Sequence, residues 1–287
     1  MATVTITTIV ENTPGPPDLM GEHGLAIWID TGHYRVLFDT GQSGLVLANA
    51  RKLGIRLEEA SAIVLSHGHY DHTGGLASVL SLNRRARVFL HPAALRAKYA
   101  REKDGRGRSI GMPRDSQIAF SEHATESAVT EQVSEVVEGI FVTGAVPRAN
   151  GFEDAGGPFF LDSDCTQPDP LMDDQSLFFD SPDGLVVLLG CAHAGIINVL
   201  DYVHCVTGRP IHTVLGGTHL VGAKEDRLDK TIEALRRLQV KRLGPAHCTG
   251  AAAMARLWQE LPNCCFACAS GMQLRVESQL QNRWRLP

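Results

Sequence analysis

Ser66-His67-Gly68-His69-Tyr70-Asp71-His72-Thr73-Gly74-Gly75 is the stretch on which the reading of this chain turns. It follows residues 62–65, a short, wholly apolar run that reads as a buried strand. Three imidazoles and a carboxylate fall between positions 67 and 72, and these are the usual nitrogen and oxygen ligands of zinc. On a helix, residues two apart face different ways, whereas a loop just past a strand end can turn them inward together. Gly68, Gly74 and Gly75 are expected to give that loop its backbone freedom. A merely solvated polar loop explains neither the order of donors nor the buried strand before it. His67, His69, Asp71 and His72 are therefore read as metal ligands at a strand-to-helix junction, where α/β proteins tend to keep their sites.

On the amino-terminal side, residues 3–10 alternate like a strand, and a loop follows at Pro14, Gly15, Pro16 and Pro17. Residues 25–30 and 34–38 read as a hairpin turning at Thr31-Gly32-His33. Residues 45–53 have helical spacing and stop at Gly54. Beyond the loop, a helix starts near Gly75 and residues 88–90 form a short strand. Residues 97–132 are polar, charged and without clear period, which predicts an insertion or lid. Strand signals return at 133–142, and a second hairpin joins 176–179 to 185–189 through Asp183-Gly184. Helical and strand patterns then alternate over 196–206, 211–215, 228–238, 252–261 and 273–276. This order predicts one α/β (α+β) domain over residues 1–287, with sheets covered by helices.

The composition, 44% hydrophobic and 21% charged over 287 residues, is that of a globular protein with a sizeable core. Its net charge is −5, and the only dense basic stretch is Arg96, Lys98, Arg101, Lys103, Arg106 and Arg108, with Glu102 and Asp104 inside it. That stretch reads as a solvated segment, so no nucleic-acid partner is expected. No uncharged apolar run approaches the roughly 18 residues that span a bilayer, so no membrane partner is expected either. The start, Met-Ala-Thr-Val-Thr-Ile-Thr, lacks the basic-then-apolar pattern of a secretory leader. Seven cysteines in a chain of this length make no dense disulfide framework, so a cytoplasmic location is expected. The partner predicted is a small-molecule substrate; oligomeric state is not legible.

Four ligands do not complete two metal sites, so others must come from downstream. His193, in Gly190-Cys191-Ala192-His193-Ala194-Gly195, and His247, in Gly244-Pro245-Ala246-His247-Cys248-Thr249-Gly250, both follow strand-like runs, as His67 does. Both are read as ligands. His219, in Gly216-Gly217-Thr218-His219-Leu220, is assigned to the active-site pocket. Cys265-Phe266-Ala267-Cys268 has no second pair to make a zinc ribbon and is read as core packing.

The His-x-His-x-Asp-His order resembles the metallo-β-lactamase superfamily. That resemblance implies the αββα four-layer sandwich of the metallo-β-lactamase fold, with metals at one edge between two sheets. It implies that His67 and His69 serve one metal, and Asp71 and His72 a second. An imidazole at His69 favours zinc, one or two ions, with Mn2+ or Fe2+ as alternatives. Most members carry a bridging aspartate where this chain has Cys191. The cysteine is a thiolate ligand, a neighbour of the ligands, or a small packed side chain. Asp39, in Leu37-Phe38-Asp39-Thr40-Gly41, would sit beneath the metal loop and orient a ligand histidine, or else cap a helix. Further segments, among them Glu11-Asn12, Asp173-Asp174-Gln175-Ser176-Leu177, Gly190-Cys191-Ala192-His193 and His247-Cys248-Thr249-Gly250, resemble the 7,8-dihydropterin-6-yl-methyl-4-(β-D-ribofuranosyl)aminobenzene-5′-phosphate synthase-like group. Many of that group are called simply metal-dependent hydrolases.

The activity expected is hydrolysis of an ester, lactone or phosphoester by a metal-activated hydroxide, with water brought toward a pKa of about 7. Asp71 is the expected proton acceptor, and His219 a further catalytic candidate. His23 and Arg148 are the expected substrate contacts, Arg148 through a bidentate pair with phosphate or carboxylate. Two alternatives stand beside this one. One is a transferase releasing diphosphate; the other is a metal- or ligand-binding protein without turnover.

Overall fold

Period-two alternation builds the layers. In β2 (Ala26–Asp30) Ile27 and Ile29 enter one buried cluster while Ala26 and Trp28 enter another. In β3 (Arg35–Phe38) Val36 and Phe38 face one way and Leu37 the other. β13 (Gly184–Leu189) does the same, sending Val186 and Leu188 to one cluster and Leu185, Val187 and Leu189 to another. Both faces of these strands are covered, which is why they read as continuous apolar runs.

The computed structural model describes residues 2–15, 17–123 and 127–280. Pro16 of the expected loop and residues 124–126 of the expected insertion lie outside them. Among the described residues, β1 (Ala2–Val10), β2, β3, β4 (Ala62–Val64), β5 (Arg87–Leu90), β8 (Ser127–Val129) and β16 (Gln273–Ser278) form one sheet in the order β16-β1-β2-β3-β4-β5-β8. The second sheet contains β9 (Ser134–Val137), β10 (Ile140–Val142), β12 (Leu177–Ser181), β13, β14 (Ile211–Gly217) and β15 (Arg242–Ala246), in the order β15-β14-β13-β12-β10-β9. Phe38, Val64, Phe179 and Leu188 pack between the two sheets. Outside the first sheet lie α1 (Leu45–Lys52), α3 (Leu76–Leu82) and α4 (Arg114–His123); outside the second lie α5 (Ile196–Thr207), α6 (Glu225–Arg237) and α7 (Ala251–Glu260). The four-layer αββα sandwich is therefore the fold, and it was the fold expected.

Two expectations need correction. Residues 97–132 are not all surface excursion. β8 pairs in parallel with β5, and α4 places Phe120 in the core. What stands apart is a small sheet of β6 (Tyr99–Arg101), β7 (Gly107–Ser109) and β11 (Phe159–Phe160), in the order β11-β6-β7. Nor is the basic stretch wholly solvated. Lys98 is 1% exposed, and its ammonium lies 2.8 Å from both Asp169 and Asp173. The Arg101 guanidinium covers the ring of Phe160 at 4.4 Å. Two carboxylates inside the fold make Lys98 an internal cation, a pairing that the neighbouring surface charges hide. Among the described residues, no helix is long and apolar enough to cross a membrane.

Candidate metal centre

The candidate residues sit just past the carboxyl ends of strands that run in parallel. Phe38 of β3 pairs with Val64 of β4, which brings Asp39 beside Ser66 and His67. In the other sheet Leu189 pairs with Gly216, Gly216 with Pro245 and Gly217 with Ala246, so Cys191, His193, His219, His247 and Cys248 emerge at one edge. Asp71 and His72 lie on α2 (Tyr70–Thr73), the single turn that follows the loop. Parallel pairing aligns strand ends, and that alignment gathers distant segments. Asp39, Ala192, His219 and His247 all have positive φ (61°, 54°, 45° and 50°), a concentration of strained non-glycine backbone at one site. The loop glycines serve close approach rather than unusual dihedrals: a Cβ on Gly68 would stand 2.2 Å from the Ala94 carbonyl oxygen, and one on Gly74 2.0 Å from that of Gln42.

His67, His69 and His193 form the first group, with one ring nitrogen from each within 4.8 Å of the others. All three are buried. The His193 Nδ1–H donates to the Ala155 carbonyl at 2.8 Å, which leaves Nε2 bare, buried and without a partner among the described residues. His67 Nδ1 lies 2.9 Å from the Ser66 hydroxyl, and its Nε2 faces His69 Nδ1 at 2.9 Å. Burial, with neighbouring imidazoles adding to it, holds His67 and His193 well below the usual imidazole range. Burial brings His69 down to about 3. The three rings are neutral, as metal coordination requires.

Asp71, His72 and His247 form the second group. His247 Nε2 lies 3.2 Å from Asp71 Oδ2 and 3.2 Å from His72 Nε2. The His72 Nδ1–H donates to Asp39 at 2.6 Å, and the His247 Nδ1–H to Asn12 Oδ1 at 2.9 Å. Two bare nitrogens and a carboxylate oxygen therefore crowd one small volume, an arrangement that calls for a cation. Without a metal a proton serves: against the penalty of burial, Asp39 and Asp71 raise His72 to about 9. Asp71 is held well below the usual carboxylate range because His72, His23 and His247 outweigh its burial. The rings of His67 and His72 are 4.3 Å apart, so the two groups adjoin. The donor sets, with the partnerless Nε2 atoms of His69 and His193 among them, fit metal ions.

Asp39 does not cap a helix. Its oxygens take the His72 N–H, the Ser66 backbone N–H at 2.6 Å and the Ser66 hydroxyl at 2.6 Å. Cys191 is not simply packed: its Sγ is 3.1 Å from His72 Nε2 and faces the site cavity. His23 is half exposed at the mouth, its Nε2 3.2 Å from Asp71, and that bond raises its pKa. Arg148 departs from expectation. Its guanidinium donates to the backbone carbonyls of His193 (2.7 Å) and Pro170 (3.0 Å), so it braces a histidine rather than meeting a substrate.

The cavity has a volume of 430 Å3 and is lined by Tyr70, Phe159, Arg108 and Val221 together with His23, His69, His193, His219 and His247. The His219 ring packs against that of His193, tilted by 44° with centroids 4.2 Å apart. Burial lowers the His219 pKa, but the adjacent Cys248 sulfur outweighs it and the net shift is upward. Several residues escaped the sequence reading. Cys248 is buried in the cavity wall, and, despite its burial, hydrogen bonds to Cys191 and His219 hold its thiol well below the ordinary value. Burial pushes Cys191 the other way. Glu11 accepts the His247 backbone N–H at 2.6 Å, and Asn12 fixes the ring. The only sequence signal for these two was the Glu11-Asn12 pair itself.

The sequence model of the metallo-beta-lactamase superfamily matches residues 20–247, and the chain belongs to that superfamily. It is 31% identical over 255 residues to the uncharacterized protein MJ0448 of Methanocaldococcus jannaschii, covering 88% of this chain and 94% of that one. It is 27% identical over 259 residues to the 7,8-dihydropterin-6-methyl-4-(beta-D-ribofuranosyl)-aminobenzene-5'-phosphate synthase of the same organism, covering 86% and 88%. The crystal structure of Tm1679, a metal-dependent hydrolase of the beta-lactamase superfamily, matches with a TM-score of 0.81 and 31% identity over 96% of this chain and 100% of that one.

Proposed function

We propose that this chain is a metal-dependent hydrolase of a small ester, lactone or phosphoester. His67, His69 and His193 would hold one metal ion, and Asp71, His72 and His247 a second, with Zn2+ favoured by the imidazole-rich donor set. The observation that carries this reading is the convergence of six donors from separate segments, with His69, Asp71, His193 and His247 lining one cavity and His67 and His72 buried against them. When bound, the metal supplies Lewis acidity, making water nucleophilic near neutral pH and polarising a substrate oxygen.

The chain's own residues do the rest. Asp39 and Asn12 fix the tautomers of His72 and His247, so their Nε2 atoms point inward. Asp71, a carboxylate at neutral pH, accepts a proton, and His23 beside it passes that proton to solvent through its half-exposed ring. Tyr70 and Phe159 offer flat apolar contact to the substrate, and Arg108, paired with Glu102 at 2.7 Å, lines the same cavity. The similarity to Tm1679, whose description is that of a metal-dependent hydrolase, supports the reading.

A second reading is group transfer with release of diphosphate, supported by the relative named as a synthase. The test is a panel of esters, lactones and phosphoesters assayed after chelation and after return of zinc or manganese. Turnover lost on chelation, restored by metal and absent in His69→Ala is expected. Diphosphate release only when an aromatic acceptor is added would move the assignment to transfer. Full metal loading with no turnover on either panel would leave a binding protein.

A further inference from the structure

Cys191, His219 and Cys248 converge too. One donor atom from each lies within 4.8 Å of the other two, and Cys191 Sγ in addition lies within 4.8 Å of a ring nitrogen of His67 and of His72. Cys191 is 2% exposed and Cys248 7%. His219 Nδ1 is buried without a hydrogen-bond partner among the described residues. The three come from the ends of β13, β14 and β15, adjacent parallel strands, so the sheet fixes their separation.

Packing also fixes the direction of each side chain. The backbone N–H of His219 points at Cys248 Sγ at 3.3 Å, and the Cys248 thiol donates to the Cys191 carbonyl at 3.6 Å. A Cβ on Gly217 would stand 2.6 Å from Cys248 Sγ. Gly156, at φ 83°, lies against the imidazole of His219, where a Cβ would be 1.8 Å from Cδ2. Glycine at both places lets the backbone press on the cluster. All three side chains line the cavity, which leaves a position open to solvent.

Two sulfurs and one imidazole are a soft donor set, suited to a thiophilic d10 cation with a fourth position free. We propose that Cys191, His219 and Cys248 form a third cation site, for Zn2+ or a similarly thiophilic ion, beside the centre built from the six other donors. It is distinct in chemistry, sulfur-rich where the others are nitrogen and oxygen, and it shares one border, the 3.1 Å approach of Cys191 Sγ to His72 Nε2. The proposal does not rest on the hydrolytic reading, because occupancy of the three residues is read without turnover.

X-ray absorption at the zinc edge tests it, using the full chain in a Cys265→Ser/Cys268→Ser background that removes the half-buried pair as a sulfur source. Zinc–sulfur scattering near about 2.3 Å is expected, and Cys248→Ala should diminish it and release one zinc per chain. Two results overturn the proposal: no sulfur scattering in the background, or scattering untouched by Cys248→Ala and lost only in Cys191→Ala. The latter would make Cys191 a ligand of the Asp71, His72 and His247 group. Should Cys248→Ala not fold, cadmium-113 NMR on the background chain decides the matter. A resonance typical of two-sulfur ligation supports the site, and resonances of nitrogen and oxygen ligation alone overturn it.

Discussion

Lys98 Nζ lies 2.8 Å from one carboxylate oxygen of Asp173, and the other oxygen of Asp173 accepts the backbone N–H of Gly68 at 2.8 Å. The cation thus reaches the turn between His67 and His69 through a single side chain. Removing one partner of a buried pair leaves the other charge uncompensated, at a cost of about 3–5 kcal/mol. Lys98→Met should lower stability by that order and also weaken metal binding as the loop loosens. Urea unfolding with a parallel zinc titration checks both. Unchanged zinc affinity in a folded Lys98→Met protein would detach Asp173 from the loop's function.

Asp39 holds the His72 ring from outside the cavity. Loss of such an outer partner typically costs about 10- to 100-fold in metal affinity. Asp39→Asn should fall in that range for the ion served by His72 and weaken that at His67, His69 and His193 less, since Asp39 reaches His67 only through the Ser66 hydroxyl. Competition with a chromophoric chelator resolves the two. Equal weakening of both ions, or of neither, contradicts the arrangement.

Arg148→Ala distinguishes a brace from a substrate contact. The brace at the His193 carbonyl predicts weaker metal retention and a lower kcat with KM unchanged. A raised KM with full metal retention would return Arg148 to the substrate.

The metal-free chain should be most stable near pH 6.5. His67, His69 and His193 have lowered folded-state values, His69 to about 3, so their neutral forms favour folding. Stability from them is present above the unfolded value of about 6.5 and is lost as pH falls toward those folded values. His72, raised to about 9, has the opposite sign: its contribution is complete below about 6.5 and is lost as pH rises through about 9. His23 and His219, also raised, add to the alkaline decline, whereas Cys248, held well below the ordinary thiol value, opposes it. Asp174, raised to about 6 by burial, favours folding when protonated, so it opposes the acid decline as one group against three. The His72 contribution alone is on the order of 3 kcal/mol. Urea midpoints of chelated protein across pH 5 to 9 should trace a maximum, and a profile rising steadily in either direction would falsify the assignment. Zinc should remove the His72 part of the alkaline decline, because a bound cation replaces the proton on His72.

Much of this was legible in the linear order. The His67-to-His72 loop, the apolar strand before it and the hairpins were local patterns, and local patterns survive folding. His193 and His247 were found because each follows a strand, as His67 does. Gly68 and Gly74 were singled out correctly but for the wrong reason, since the neighbouring carbonyls that exclude a Cβ belong to residues 94 and 42.

By itself the sequence determined an α/β domain of sheets covered by helices and the run of nitrogen and oxygen side chains in the loop, because periodicity and short-range spacing encode both; the four-layer sandwich followed from the resemblance to the superfamily. Only tertiary structure decided that Lys98 is internal, that Arg148 braces His193, and that Cys191 faces His72 and Cys248. Those relationships join residues up to 119 positions apart. What fixes them is the register of parallel strands and the packing of one sheet on another, which no local window contains.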